Sequence, residues 1–200
     1  MAYTTKIDSY VIDELLAPGY APIETGYFRL PDGVMHTKAL LRMPNCKGKM
    51  VDWWFGYLHD TTSYKFWHPD HVYFKWDEKW SPGHYIGATH QGQEYLGGNL
   101  AKVQIKFHDP AEIFDTSKFK AANISAVIYA IVLKDNGQLD GHMIHSCRDT
   151  EYGCDMRSRF WFSEAPDAVG LGVMTHHLEE MGNLAEFLPG LYHRETGGEK

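Results

Sequence analysis

The strongest constraint on this chain is a long succession of short segments rich in Val, Ile, Tyr, Phe and Trp, cut by Gly, Pro, Asn and Asp, with one amphipathic stretch after them. Residues 26–30, 34–43, 50–58, 71–77, 84–96, 100–108, 123–134, 141–150 and 155–162 read as strands. β-Branched and aromatic side chains fit a pleated surface, and the punctuating residues supply the turns. Residues 7–16 read as a short helix ended by Ala17-Pro18-Gly19, and Leu30-Pro31-Asp32-Gly33 as a turn between two strands. After the loop over residues 163–167, one strong helix runs to a stop at Pro189-Gly190, and residues 191–200 form a flexible tail. A run of strands without intervening helices, closed by a single helix, predicts an α+β fold in which a curved antiparallel sheet wraps the helix.

That order of elements resembles the helix-grip architecture of START-type and birch-pollen-allergen-type proteins, which leaves a cavity between the concave sheet and the helix. The length of 200 residues suits one domain over 1–200 with its core at about 24–189. A net charge of −7, with 19 Lys and Arg forming no long run, argues against nucleic acid or an anionic membrane surface as partner and favours a small molecule. The N-terminus lacks the apolar core of a signal peptide, and no apolar run approaches the roughly 18 residues that span a bilayer. Cys46, Cys147 and Cys154 have none of the paired spacings of a structural zinc site and read as reduced thiols. A soluble cytoplasmic protein is the expectation, with a homodimer as the guess for its assembly.

Within the last helix, Val173, His176, His177, Glu180, Leu184, Phe187 and Leu188 fall on one stripe at 100° per residue, with Thr175, Glu179, Gly182 and Glu186 opposite. His176 and Glu180 therefore sit where the helix should be apolar. Burying an imidazole and a carboxylate costs several kcal/mol by rough estimate unless a compensating charge is present, and a divalent metal compensates both. The same spacing also makes a simple local pair contributing about 0.2–0.5 kcal/mol.

Other segments offer further ligands. His68 precedes Pro69 and His71 opens a strand, either one able to bind metal or shuttle protons at a cavity mouth, or to be a surface histidine in a turn. Period two places His90 and Glu94 on one strand face, where Glu94 is an exposed charge or a third ligand. Alternation in 155–162 sets Arg157 and Arg159 against Ser158 and Phe160, with Asp149 and Asp155 as expected partners of the arginines. His145 is an inward acid or base, or a hydrogen-bonded structural group.

Taken together, Met50-Val-Asp-Trp-Trp-Phe55, Tyr64-Lys-Phe-Trp-His-Pro-Asp-His71, Cys147-Arg-Asp-Thr150, Met156-Arg-Ser-Arg-Phe-Trp161 and His176-His-Leu-Glu-Glu-Met-Gly-Asn-Leu184 resemble the 2,4-diacetylphloroglucinol hydrolase family, phloretin hydrolases included, over residues 24–189. The resemblance implies a helix-grip fold and a zinc ion held by His71, Glu94, His176 and Glu180. This chain is one residue shorter between Tyr64 and His71, which leaves His68 open as the ligand. By the same resemblance His145 is the catalytic histidine and Tyr64 hydrogen-bonds the substrate. Two departures fall in the implied substrate pocket: Phe160 stands where a Tyr is expected, and Phe74 where an Asn is expected.

The implied reaction hydrolyses the carbon–carbon bond between an acyl group and a polyhydroxylated ring, or a related β-diketone, releasing a carboxylic acid. Tautomerisation of the ring to its keto form makes the leaving carbon that of an enolate, as in a retro-Claisen cleavage. Zinc would activate water and polarise the acyl carbonyl, His145 would act at the ring carbon or oxyanion, and Tyr64 would hold a ring hydroxyl. Ligand chemistry alone also admits iron, and the same scaffold admits a noncatalytic carrier or a cyclase or aromatase for an aromatic polyketide-like ligand.

Overall fold

The computed structural model describes residues 7, 9–163 and 165–197. A short helix, α1 (Ser9–Leu16), precedes strands β1 (Gly26–Arg29) and β2 (Met35–Pro44); helices α2 (Gly48–Tyr57) and α3 (Thr61–Trp67) follow. Strands β3 (His71–Trp76), β4 (Thr89–Leu96), β5 (Asn99–His108), β6 (Ile124–Leu133), β7 (Leu139–Asp149) and β8 (Gly153–Phe162) lead to the long helix α4 (Asp167–Thr196). The eight strands form one antiparallel sheet in the order β1-β2-β8-β7-β6-β5-β4-β3. This is the α+β helix-grip arrangement that the sequence predicts.

Period-two alternation divides two cores between the faces of the sheet. On the concave side, Ile128, Met143, Met156 and Phe160 pack with α2 and with Met181, Leu184 and Leu188 of α4. On the convex side, Val127, Tyr129, Ile144 and Trp161 pack under Ile12 and Leu15 of α1 and under Phe114. Arg157 and Arg159 also face the convex side, fully buried, but Asp149 and Asp155 are not their partners. Arg157 binds Glu24 at 2.7 Å, and Arg159 binds Glu14 at 2.7 Å and Glu24 at 2.5 Å. Asp155 is taken by the hydroxyls of Tyr20 and Tyr152, and Asp149 by Ser125 and the Gly48 backbone N–H.

Three elements depart from expectation. Helix α3 forms where no element was read, started by the capping box of Asp60 and Ser63. Residues 50–58, read as a strand, belong mostly to α2: Met50, Val51, Trp54, Phe55 and Leu58 are the buried positions, which is helical spacing despite their strand-favouring types. Helix α4 also passes through Pro189 to Thr196 instead of stopping, and Leu191 and Tyr192, expected in a flexible tail, are buried. Tyr192 meets Trp53 edge-on with ring centroids 5.3 Å apart, so packing against α2 outweighs the roughly 3 kcal/mol that an interior proline costs. Residues 198–200 of that tail lie outside the described residues. No helix among the described residues is long and apolar enough to cross a membrane.

Candidate functional site

Helix α3 leads to the first candidate ligand group. Asp60 caps it, its carboxylate accepting from the Ser63 N–H at 2.8 Å while the Ser63 hydroxyl accepts from the Asp60 N–H at 3.2 Å. Pro69 forbids helical geometry at the preceding residue, so α3 ends at Trp67, His68 is extended at φ −147° and ψ 139°, and the chain enters β3 at His71. His71 is paired directly with Glu94 across β3 and β4, with a bulge following His71. Glu180 follows His176 by one turn of α4, on the face turned to the sheet.

These side chains converge. His71 Nε2 lies 3.3 Å from Glu180 Oε1 and 3.7 Å from Glu94 Oε2, and His176 Nε2 lies 3.9 Å from Glu94 Oε2. The ligand nitrogens of His68, His71 and His176 are within 4.8 Å of one another, and these three histidines could hold a metal ion. Among the described residues, His71 Nε2 and both ring nitrogens of His176 are buried without a hydrogen-bond partner. Unpartnered nitrogens facing carboxylates are a donor set that a divalent cation fits.

The hydrogen bonds behind the rings separate His68 from His71. His71 Nδ1 lies 2.8 Å from the Tyr64 carbonyl, which can only accept, so the ring proton is on Nδ1 and Nε2 keeps its lone pair. His68 Nδ1 accepts from the Asp70 N–H at 3.1 Å, which puts the proton of its neutral ring on Nε2, 3.6 Å from Glu179. Tyr64 stacks on His71 with centroids 3.6 Å apart and planes 8° off parallel, and its hydroxyl donates to Glu94. Gly92 leaves room for this: a Cβ there would stand 2.6 Å from His90 Nε2 and 3.2 Å from the Tyr64 hydroxyl.

Burial pushes both carboxyls up to about 7, and for Glu94 the neighbouring Glu180 adds to it. Burial lowers the His71 and His176 imidazoles, the facing carboxylates opposing it. Two carboxylates that resist ionising beside two neutral imidazoles form a site short of positive charge.

Across the cavity stands a second group. His145 lies opposite Ser158 in the β7–β8 register, and its Nδ1 is 2.9 Å from the Ser158 hydroxyl. His177 stacks on it at 4.8 Å, 13° off parallel, and Phe160 meets it edge-on. Burial lowers His145 and His90 to about 3 and His177 well below the ordinary range, so all three are neutral at neutral pH. A cavity of about 830 Å³ connects the two groups, bordered by Tyr64, His90, Glu94, His145, His176 and Glu180 among others.

Phe160 borders this cavity as expected of a pocket residue, but Phe74 and His68 do not. Phe74 is covered by Tyr64 and His90, with centroids at 5.1 and 4.6 Å, and His68 lies against His176 with centroids 4.4 Å apart and planes tilted by 54°. The sequence reading did not single out His90, His177 or Ser158 as site residues. Each shares an inward face with a residue that it did single out, by period two for His90 and Ser158 and by the helical stripe for His177.

Comparison with known proteins agrees with this architecture. The 2,4-diacetylphloroglucinol hydrolase of Pseudomonas protegens is 26% identical over 224 residues, covering 93% of this chain and 73% of that protein. The phloretin hydrolase of Eubacterium ramulus is 27% identical over 186 residues, covering 76% and 65%. Among solved structures, Ara h 8.0201 superposes with a TM-score of 0.54 at 11% identity, covering 79% of this chain and 99% of that one. The KanY protein does so with a TM-score of 0.50 at 11% identity, covering 76% and 94%. These two show the fold alone. The family model described as the DAPG hydrolase PhiG domain matches residues 8–169, a span that ends just before His176. With four-fifths of its length so matched, the chain belongs to the DAPG hydrolase PhiG domain family.

Proposed function

We propose that this protein is a zinc-dependent hydrolase that cleaves the carbon–carbon bond between an acyl group and a hydroxylated aromatic ring, releasing a carboxylic acid. The observation that carries the reading is the convergence of the unpartnered His71 Nε2 and the unpartnered His176 ring on two carboxylates beside one cavity. His71, His176, Glu94 and Glu180 would hold the ion; zinc is what the family resemblance implies. When bound, it supplies Lewis acidity toward the acyl carbonyl and makes a water nucleophilic near neutral pH.

The chain's own groups handle the ring. His145 is neutral before substrate arrives, and in the tautomer whose Nδ1–H donates to the Ser158 hydroxyl its Nε2 takes the proton of a ring hydroxyl. The imidazolium so formed is a strong acid because it is buried, and it returns the proton to the ring carbon that bears the acyl group. That carbon becomes tetrahedral and the ring becomes a ketone. Once a water oxygen has bonded to the acyl carbon, the carbon–carbon bond breaks, its electron pair passing through the ring to the ketone oxygen as an enolate rather than remaining on an aryl carbanion, and the acyl group leaves as the carboxylic acid. Ser158 fixes the His145 ring through Nδ1, and Tyr64 fixes Glu94 through its hydroxyl. Tyr64 is therefore a positioning group, its proton already engaged.

Elemental analysis of the purified protein beside its His176→Ala and Glu94→Ala variants, followed by product assay on an acylphloroglucinol panel, tests this. Stoichiometric zinc and a carboxylic acid product are expected from the parent, with both diminished in the variants. Variants that retain both would remove the assignment.

A further inference from the structure

The cavity is much larger than its polar end. A phloroglucinol ring with one acetyl arm has a dozen non-hydrogen atoms, and even at the liquid-water share of about 30 Å³ each it fills about 360 Å³. More than half of the 830 Å³ is then left over. Along α4 the lining runs from Val169 and Val173 through His176 and His177 to Glu180 and Met181. At 1.5 Å per residue that wall is about 18 Å long, and about 10 Å of it lies on the Val169 side of His176.

The two ends differ in chemistry. The end holding His90, Glu94 and His145 is walled by rings: Phe55 and Phe107 lie 5.5 Å apart, and Phe55 is nearly parallel to His145 at 6.4 Å. Such walls suit a flat ring, whose oxygens would meet the histidines. The neck toward Val169 is bordered instead by Leu96, Leu133, Val173 and the single ring of Phe162. Charge enters this part of the lining through Lys102, Lys134, Asp135 and Asp140, of which Lys134 and Asp140 pair at 3.6 Å. Branched aliphatic walls around an elongated space suit a flexible alkyl chain.

We infer that the substrate of this site is a single-ring aryl ketone bearing a medium-length aliphatic acyl chain, with the ring against Phe55 and His145 and the chain along the neck past Val173 to Val169. This rests on the hydrolase reading for the reaction but on the cavity alone for the ligand class. Each methylene of the chain leaves water for the neck and is held alike in ground and transition states. It should therefore raise kcat/KM about fourfold, mainly through KM.

The test is a homologous series from acetyl- to decanoylphloroglucinol on the zinc-loaded protein, with binding followed in parallel by quenching of tryptophan fluorescence, Trp67 bordering the cavity. A rise of about fourfold per methylene through hexanoyl supports the inference, as does a Val169→Trp variant in which the rise ends at shorter chains. A series that is flat or falls from acetyl onward overturns it and leaves the hydrolase reading intact. Binding that tightens with chain length without turnover of any member supports the ligand class and sinks the hydrolase reading. Neither turnover nor chain-dependent binding overturns both.

Discussion

At the scale of single residues, hydrogen-bond partners decide roles that residue types leave open. His68 and His71 are both buried beside His176, yet only His71 has its proton fixed on the far nitrogen, by the Tyr64 carbonyl. His71→Ala should therefore abolish stoichiometric metal, whereas His68→Ala should weaken it by about 10–100-fold, the usual cost of losing an outer partner. Chelator competition on the two variants measures this, and equal losses would make His68 a ligand. A parallel contrast holds across the cavity. His145→Gln should lower kcat by about 10²–10⁴-fold with metal content unchanged, the range for a lost general acid or base. Ser158→Ala, which only frees the ring, should cost far less. A His145→Gln variant with parental kcat would remove His145 from the chemistry.

Helices and strands show where the sequence was legible. The sheet and α4 could be read because alternation and a helical stripe are strong where one face is buried, and His176 and Glu180 stood out as polar residues on that stripe. Helix α2 was misread because its Val, Trp, Phe and Tyr residues have strand propensities, although the spacing of Met50, Val51, Trp54, Phe55 and Leu58 is that of a helix face. The partners of Arg157 and Arg159 could not be read, because Glu14 and Glu24 arrive from more than 130 residues away across the convex face. The far end of α4 was misjudged because Pro189 outweighed packing that no local pattern reveals. That proline still lacks the N–H that would bond the Ala185 carbonyl. Pro189→Ala should accordingly stabilise the protein by about 2 kcal/mol, raising Tm by roughly 4–8 °C for a chain of this size. Calorimetry checks it; a lowered Tm would mean that the α2 contact needs the bend which proline introduces.

The whole molecule stands on two unlike cores, and acid should act on both: His90, His145 and His177 of the concave side, held neutral by burial, give up their contribution below pH 6.5, and the convex side adds a lower window. There, burial alone would push the Glu24 carboxyl up, but hydrogen bonds from Arg157 and Arg159 outweigh it and hold it down at about 2. The free carboxyl titrates near 4.5, so between 4.5 and 2 the unfolded chain binds the proton that the native protein refuses. Stability from Glu24 is thus complete above pH 4.5 and lost as pH falls through 2, on the order of 3 kcal/mol in all. His36 acts in the same direction in a higher window. Buried against Trp161 and bonded through Nδ1 to the Phe160 carbonyl, it is lowered by burial to about 4, so its contribution is complete above 6.5 and fades as pH falls through 4. Denaturant midpoints should therefore decline in two stages on acidification, first below pH 6.5 and again below 4.5. Glu24→Gln should lower stability at neutral pH by a few kcal/mol, since it leaves Arg157 and Arg159 short of a buried countercharge, and should flatten the second stage while leaving the first. Urea titrations of the parent and variant across this range measure both effects. A variant that keeps the second stage would show that the acid response arises elsewhere than in the charges pinning residues 14–24 to the back of the sheet.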